Sequence, residues 1–507
     1  MTAGVFRHSV ASGDPLQDRV MLWTRVTADT DGPHDVAWSV ARDEGLRDVV
    51  CTGTAASDPE ADHTVHVDVD GLEPATTYYY GFEALGESSP VARTRTLPER
   101  GAERVRFAVA SCASYNAGWF NAYARIAERR DLAFLLHLGD YIYETPNVLP
   151  PGAPQPPDIG RPFDPLHECV TLDDYRRRYA QYRGDPDVQA LHLTHPVIAT
   201  LDDHEFADGT WRDGSSWHRP EQGPFADRKA AGFRARWEWQ PYRMPDPLDP
   251  TRVFRSVPLG DLAEIFLVDT RTRRDEPIAP PEMNDPARTQ LGTEQREWLL
   301  GALDASTAHW RLVGNGSVMG HTWSEHLPES IRPALRALGL LGEGGSGPDP
   351  DQWDGYPVER ATLLQHLREH DMTNVVVLSG DVHVGIVIEL HEDPVAGDDP
   401  VAVEFVASSL TSMNIDDKMG WPRRDERSLA LERTAIDTLP HWKWCEFDSN
   451  GYVVIDVDRE RVQAEWWFVD TVLAPSTHED LGARWLVEHG SQQAIEVSRP
   501  ESAPGSV

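Results

Sequence analysis

Four short apolar segments, each ending in a polar stretch, constrain this chain more than any other feature of its sequence. The segments are residues 105–110, 132–138, 196–201 and 374–379. A short, largely apolar run is typical of a strand buried on both faces of a sheet. Four such strands in one sheet would bring their carboxyl ends together, at the edge where open α/β sheets bind ligands. The sequence therefore predicts a functional site at that edge.

The polar stretches that follow these segments carry side chains suited to binding metal ions. They are Ser111-Cys112, Gly-Asp-Tyr-Ile-Tyr-Glu at 139–144, Asp-Asp-His-Glu at 202–205 and Gly-Asp-Val-His at 380–383. Each alone also has a structural interpretation, since a buried cysteine is usually a small core residue and an acidic string can cap a helix. Four such stretches after four predicted strands favour a shared metal site over four unrelated loops.

One set of candidate ligands contains nitrogen and sulfur. Asp140 follows a strand end and can bridge two cations, and a tight turn would return the phenol of Tyr143 to the same ion. Cys112 and His383 complete this half-site. Because thiolate and phenolate ligands together suit ferric iron, we expect Fe(III) here, with zinc as the competitor.

The other set of candidate ligands offers only oxygen. Asp203 and Asp381 supply carboxylates alongside Asp140, and Asn315 is an additional candidate that would add a neutral oxygen. An all-oxygen pocket favours a hard ion such as calcium, magnesium or manganese.

Composition limits the partners of the chain. Across 507 residues, Lys and Arg total 47 against 83 Asp and Glu, which gives a net charge of −36. Such a charge repels nucleic acid, and no basic run forms a nucleic-acid binding patch. The sequence also contains no apolar run long enough for a transmembrane segment and no export signal after Met1, so we expect a cytoplasmic protein.

The pattern of the chain predicts two domains and a tail. Residues 1–98 alternate between polar and apolar positions, as in an all-β immunoglobulin or fibronectin III-like sandwich. Residues 104–475 alternate strands with helices and predict an α/β (α+β) domain whose two sheets enclose a core. Residues 476–507 are polar, and we expect a tail there with a helix near the site as one outcome.

The four polar stretches together resemble the alkaline phosphatase D family, a branch of the calcineurin-like metallophosphoesterases. The chain is also similar to the iron-dependent phospholipase D of the Streptomyces type in the same branch. The resemblance covers nearly the whole chain, because Val-Ala-Ser-Gly-Asp-Pro at 10–15 and Gly-Tyr-Val-Val at 451–454 match the two ends of the family pattern. It implies a metallophosphoesterase-type two-sheet core behind the amino-terminal sandwich.

The resemblance also implies a ligand assignment and a compartment. According to the resemblance, Fe(III) is held by Cys112, Asp140, Tyr143 and His383, and Ca(II) is held by Asp140, Asp203 and Asp381. Relatives of this family are typically exported by a twin-arginine route, so a secreted protein whose upstream signal has been removed is the alternative to a cytoplasmic one.

The expected activity is metal-dependent hydrolysis of phosphate monoesters and diesters, by attack of a metal-bound hydroxide on phosphorus. His204 adjoins a ligand but is outside the metal set, so it is the candidate to protonate the leaving group. Arg271 is a candidate to steady a phosphate. The substrate would be a small phosphoester, with a phospholipid as the alternative. Two other functions remain open: a phospholipase D-like phosphodiesterase, and a non-catalytic binding protein stabilised by its metals.

Overall fold

The computed structural model describes residues 4–30, 32–148, 155–278, 282–322, 328–329, 332–333, 350–393 and 397–497. Two large sheets face each other across an apolar core that includes Phe107, Val109, Leu312 and Val376. Within the described ranges, no helix is long and apolar enough to span a membrane.

The larger sheet has ten strands and is mixed. In spatial order its strands are β24 (Ile495–Glu496), β23 (Glu479–Glu488), β22 (Arg461–Val469), β21 (Gly451–Asp458), β9 (Arg104–Ala110), β10 (Leu135–His137), β11 (Val197–Ala199), β1 (Val10–Gly13), β2 (Val20–Arg25) and β5 (Thr64–Val69). Strands β9, β10, β11 and β1 are parallel at the centre. Their carboxyl ends therefore meet at one edge.

The facing sheet has seven strands. In spatial order they are β14 (Arg255–Leu259), β15 (Ala263–Leu267), β16 (Trp310–Gly314), β17 (Val375–Ser379), β19 (Ala402–Val406), β18 (Gly385–Leu390) and β20 (Trp442–Glu446). Strands β15, β16, β17 and β19 are parallel. A separate two-stranded ribbon, β12 (Thr210–Trp211) and β13 (Gly214–Ser215), lies outside both sheets.

Helices cover the outer faces of the two sheets. The helices are α1 (Asn121–Glu128), α2 (Leu172–Arg183), α3 (Pro186–Thr194), α4 (Phe225–Trp239), α5 (Thr293–Ala305), α6 (Pro357–Glu369), α7 (Ile415–Met419) and α8 (Glu426–Thr438). The alternation of strand side chains explains this layering. In β9, Phe107 and Val109 face the core between the sheets, whereas Ala108 and Ala110 pack with side chains of α1 to α4. The predicted two-sheet α/β fold is therefore confirmed.

The first 98 residues form a β-sandwich, as predicted, but it shares a sheet with the larger unit. Its second layer consists of β3 (His34–Ala41), β4 (Val49–Ser57), β6 (Thr77–Ala84), β7 (Glu87–Ser88) and β8 (Ala92–Arg95). Its first layer is β1, β2 and β5, which continue the ten-stranded sheet through the pair Gly13 and Val197. The backbone N–H of Glu73 donates to the Tyr78 hydroxyl (2.9 Å) at the predicted sandwich corner.

Two sequence predictions about placement are wrong. The four apolar segments do not lie in one sheet, since β9, β10 and β11 belong to the ten-stranded sheet and β17 belongs to the facing one. The expected tail helix is also absent from the described residues, because 479–488 form β23, which pairs along its whole length with β22. Tertiary contacts decide both outcomes, namely the sheet that residues 374–379 join and the strand conformation of residues 479–488.

Candidate metal centre

The functional candidates meet where the carboxyl ends of the two sheets come together. Ser111, directly after β9, forms a parallel bridge with Ser409, which follows β19 of the facing sheet. Gly380, directly after β17, packs so closely on Ser111 that a Cβ at this position would lie 2.5 Å from the Ser111 Oγ. A larger residue at 380 would therefore push the two sheet edges apart.

Backbone geometry turns the candidate ligands toward one point. Cys112, Asp140, Asp381 and His383 have φ angles of 60°, 56°, 69° and 65°. This left-handed region is uncommon for residues other than glycine and costs free energy. Four such residues in one cluster indicate that the surrounding structure holds the backbone in a shape needed for function.

The predicted nitrogen- and sulfur-bearing half-site is assembled in the structure. Ligand atoms of Cys112, Asp140 and His383 all lie within 4.8 Å of one another. The Tyr143 hydroxyl donates to the Asp140 Oδ2 (3.1 Å) and lies 3.2 Å from the His383 Nε2. A thiol, a carboxylate, a phenol and an imidazole thus converge, and this donor set fits a ferric or zinc ion.

Neighbouring groups set the charge state of His383 and the orientation of His383 and Tyr143. Burial, reinforced by Lys418, holds the pKa of His383 well below its usual range, so the ring is neutral. Its Nδ1 lies 3.1 Å from the Met413 carbonyl oxygen, which leaves Nε2 for a metal. Ser412 donates to the Tyr143 hydroxyl (2.7 Å) and orients it.

The oxygen-only half-site is also assembled, with one carboxylate more than predicted. Oxygens of Asp140, Asp202, Asp203 and Asp381 lie within 4.8 Å of one another. The Asp203 Oδ1 is buried and has no hydrogen-bond partner among the described residues, although Oδ2 accepts from the Gly209 N–H (2.7 Å). An unpaired buried carboxylate oxygen beside three other carboxylates fits a hard divalent cation such as calcium.

The carboxylates carry more negative charge than the protein neutralises. Burial, together with the neighbouring carboxylates, raises the pKa of Asp140 and Asp202 well above the usual range, although His204 and Arg271 oppose the shift. Burial also raises the pKa of Asp381. These aspartates favour either protonation or a nearby cation, and bound metal ions would supply the missing positive charge.

Arg271 does not have the role predicted for it. Its guanidinium is fully buried and forms ion pairs with Asp202, Asp351 and, at 2.8 Å, Asp381. A guanidinium held by three carboxylates is not available to bind a substrate phosphate. Arg271 instead positions the aspartates of the oxygen-only half-site.

Asn315 forms hydrogen bonds through both polar atoms of its amide. The amide nitrogen donates to the Ser379 Oγ (2.9 Å), and the amide oxygen accepts from the Trp353 indole (3.1 Å). Its role as an additional ligand stays a prediction.

His204 lies beside the centre and is fixed in orientation. Its Nδ1 is 2.7 Å from the Glu144 Oε2, and its ring stacks on Tyr143 with centroids 4.0 Å apart. Burial lowers the pKa of His204, but Glu144 and Asp140 outweigh burial and raise that pKa well above its usual value. The negative charges around the ring therefore favour its protonated form, with Nδ1 directed at Glu144.

Glu144, Glu205 and Lys418, in addition to Asp202, were not assigned to the site from the sequence. Glu205 accepts from the backbone N–H groups of Asp140, Tyr141 and Asp202, and so joins the ends of β10 and β11. Glu144 and Glu205 both lie in the polar stretches that follow the predicted strands. The sequence therefore indicated their positions but not their roles. Lys418, on α7, has no comparable sequence signal.

Lys418 brings a positive charge to the centre. Burial lowers the pKa of its amine, while the negative charges of Asp381, Asp208 and Cys112 oppose that shift. The residue follows the loop whose Ser412 and Met413 contact the nitrogen- and sulfur-bearing half-site. The side chain is half-buried and therefore remains accessible from solvent.

Comparisons with known proteins agree with this geometry. The PhoD-like phosphatase family matches residues 107–466, and the family of PhoD-like phosphatase N-terminal domains matches residues 1–98. Alkaline phosphatase D of Bacillus subtilis (strain 168) is 36% identical over 497 residues, which cover 93% of this chain and 78% of that protein. A solved structure of PhoD superposes with a TM-score of 0.85 at 31% identity, covering 99% of this chain and 94% of the other. The resemblance read from the motifs is confirmed, and the chain belongs to the PhoD-like phosphatase family.

Proposed function

We propose that this chain hydrolyses phosphate monoesters and diesters at a centre that binds ferric iron and calcium. The observation that carries the proposal is the pairing of two chemically different half-sites that share Asp140, with the oriented imidazole of His204 beside them. Such an arrangement serves charge neutralisation and proton transfer, which are the main requirements of phosphoryl transfer.

The residues present fit both ions. Cys112, Tyr143 and His383 would hold iron together with Asp140, and the unpaired oxygen of Asp203 would face calcium. When bound, the two ions would activate water as the nucleophile and offset charge that develops on the phosphoryl oxygens. Zinc is the alternative for the first position, and magnesium or manganese for the second.

The protein's own groups manage the proton and the substrate. His204 holds a proton at Nε2 and would donate it to the leaving oxygen, while the carboxylate of Glu144 stabilises the charged ring. The amine of Lys418 would attract the negatively charged phosphoester toward the carboxylate-rich centre. Arg271 keeps the aspartates in place through its ion pairs.

A substrate comparison tests this proposal. Purified enzyme is assayed on a nitrophenyl phosphate monoester, a bis-nitrophenyl phosphate diester and a phosphatidylcholine vesicle, with and without a calcium-selective chelator. We expect hydrolysis of both small esters and its loss on chelation. Cleavage confined to the phospholipid would instead establish a phospholipase D-like phosphodiesterase. Absence of turnover on all three by metal-loaded protein would favour a binding protein.

The matched variant for this assay is Asp203→Asn. The amide keeps the size of the side chain but removes the charge of the unpaired oxygen. We expect calcium affinity and turnover to fall together. Full activity of this variant without calcium would contradict the assigned half-site.

A further inference from the structure

A second cluster of metal-binding side chains lies on two helices outside the phosphatase centre. Asp304 is in the last turn of α5, His366 is in the last turn of α6, and His370 follows α6 directly. The Asp304 Oδ1 lies 3.0 Å from the His366 Nε2 and 2.7 Å from the His370 Nδ1. The two imidazole rings are 3.9 Å apart between centroids. Three side chains from two helices thus converge on one point.

The donor set suits a borderline transition metal. The ligand atoms of Asp304, His366 and His370 lie within 4.8 Å of one another. Two imidazole nitrogens and one carboxylate oxygen form a three-ligand set in which zinc accepts water as its fourth ligand. Histidines four residues apart project from the same face of a helix, so the pair can chelate a single ion. Calcium and magnesium prefer oxygen ligands, which excludes them here.

Electrostatics at this place also favours a cation. The carboxyl-terminal ends of α5 and α6 both point here, and each carries the partial negative charge of a helix C-terminus. Arg311 is close enough to Asp304 to interact with it electrostatically, but its guanidinium donates to the carbonyl oxygens of Leu303 and Ser306. Arg368 on α6 is directed elsewhere, toward Glu392 and Asp398.

The cluster is remote from the phosphatase centre. Helix α5 ends shortly before β16 begins at Trp310, and α6 ends shortly before β17 begins at Val375. The phosphatase residues Asp381 and His383 follow the other end of β17. The length of the parallel strands therefore separates the two sites, and a metal ion at the cluster cannot take part in phosphoester chemistry.

We propose that Asp304, His366 and His370 form a structural site for a divalent transition metal ion, zinc in the first place, which links α5 to α6. In the metal-free protein the carboxylate accepts hydrogen bonds from both rings. On binding, His366 Nε2 and His370 Nδ1 lose their protons, and the ion takes the place of these protons between the same three side chains. A charged ring releases its proton to solvent, whereas a neutral ring moves its proton to the other ring nitrogen, so both imidazoles bind as neutral ligands. The link would hold together two helices that cover the outer face of the seven-stranded sheet.

Zinc binding by the intact enzyme tests this proposal. Zinc chloride is titrated into the wild type, into His366→Ala/His370→Ala and into Asp304→Asn, and bound zinc is counted after equilibrium dialysis. His478→Ala is the matched control. His478 is also an exposed histidine beside a carboxylate, 3.2 Å from Asp480, but it does not belong to the cluster of Asp304, His366 and His370. We expect the wild type and His478→Ala to bind one zinc ion more than the double variant, with weaker binding by Asp304→Asn. Zinc should also raise the unfolding temperature of the wild type more than that of the double variant.

Equal zinc uptake and equal zinc stabilisation in the wild type and the double variant would overturn the proposal. If the double variant does not fold, the single variant His370→Ala takes its place in the titration. This ring is exposed and follows the end of α6, so its removal leaves the helix intact. All variants should keep the wild-type rate on a nitrophenyl ester. A variant that loses zinc and this activity together would show that the cluster is not independent of the phosphatase centre.

Discussion

At the scale of single residues, neighbours at the centre have different tasks because the chain turns sharply there. Asp203 has a buried oxygen without a hydrogen-bond partner among the described residues, whereas the adjacent His204 stacks on Tyr143 and contacts Glu144. The proposed function assigns a metal ion to the first side chain and the substrate to the second. This division makes the two residues separable by mutation.

Replacing His204 by Ala should lower turnover by roughly 10²- to 10⁴-fold and leave the metal content unchanged, as expected for loss of a positioned proton donor. The loss should be smaller for nitrophenyl esters than for alkyl esters, because a good leaving group needs little protonation. Kinetics on both ester types and metal analysis of the same preparation provide the measurement. An equal loss for both esters, or loss of metal, would show that His204 binds phosphate or metal instead.

Replacing Lys418 by Met should raise KM roughly tenfold with little change in kcat, because a charge that attracts substrate acts mainly on binding. Lys443→Met is the control, since Lys443 lies on β20 and pairs with Glu389 (2.9 Å) on β18. Steady-state kinetics on a nitrophenyl phosphate checks the prediction. A fall in kcat at unchanged KM would assign Lys418 to the chemical step.

The local strings of the sequence predicted most of the side chains that the structure brings together at this centre. Cys112, Asp140, Asp203 and His383 each follow a strand, so their approximate place could be inferred from the apolar runs alone. Asn315 and Arg271 could not be assigned in this way. Their surroundings are set by Trp353 and Asp351, which approach from distant parts of the chain.

At the scale of elements, the centre depends on strand ends held at fixed separations. Gly139, with φ of 120°, lies so close to Asp202 that a Cβ would be 2.5 Å from the Asp202 backbone nitrogen. Glu205 bridges the same two strand ends through three backbone N–H groups. The ends of β10 and β11 are therefore held both by close packing and by charged hydrogen bonds.

Replacing Glu205 by Gln should lower the free energy of unfolding by about 1.5–3 kcal/mol, because charged hydrogen bonds to buried amides are replaced by weaker ones. The control is Glu128→Gln, which removes an exposed ion pair with Arg125 and should cost no more than about 1 kcal/mol. Urea denaturation of both variants gives the comparison. Equal effects would show that the Glu205 bridge adds no more stability than a surface pair.

Periodicity predicted the strands well but not their partners. The runs at 105–110 and 374–379 were recognised as strands, yet their assignment to facing sheets depends on packing between the layers. Likewise, residues 479–488 form β23 because β22 offers an edge for pairing, although most of the surrounding tail is polar.

At the scale of the whole molecule, the sandwich and the larger unit share more than a sheet. The Trp23 indole donates to the Glu238 carbonyl oxygen (2.8 Å) at the end of α4. Ion pairs join Asp14 to Arg255 at 2.6 Å and Asp68 to Arg243 at 2.7 Å. Unfolding of either unit would break these contacts and expose an edge of the common sheet.

Scanning calorimetry should therefore show one cooperative transition for the chain, because the continuous sheet couples the two units. Deletion of residues 1–98 should yield an aggregating protein, since it would uncover the edge of β11. Two well-separated transitions, or a soluble and active truncated protein, would contradict this coupling.

Elemental analysis of purified variants can establish whether two half-sites of different chemistry share Asp140. The wild type should contain iron and calcium, with a visible absorption band from thiolate or phenolate charge transfer to Fe(III). Cys112→Ser should weaken or abolish iron binding while calcium remains, and Asp203→Asn should show the reverse. Two results would contradict the proposed iron and calcium half-sites. One is a colourless, fully active wild type that contains only zinc, and the other is a set of variants that lose both metals equally.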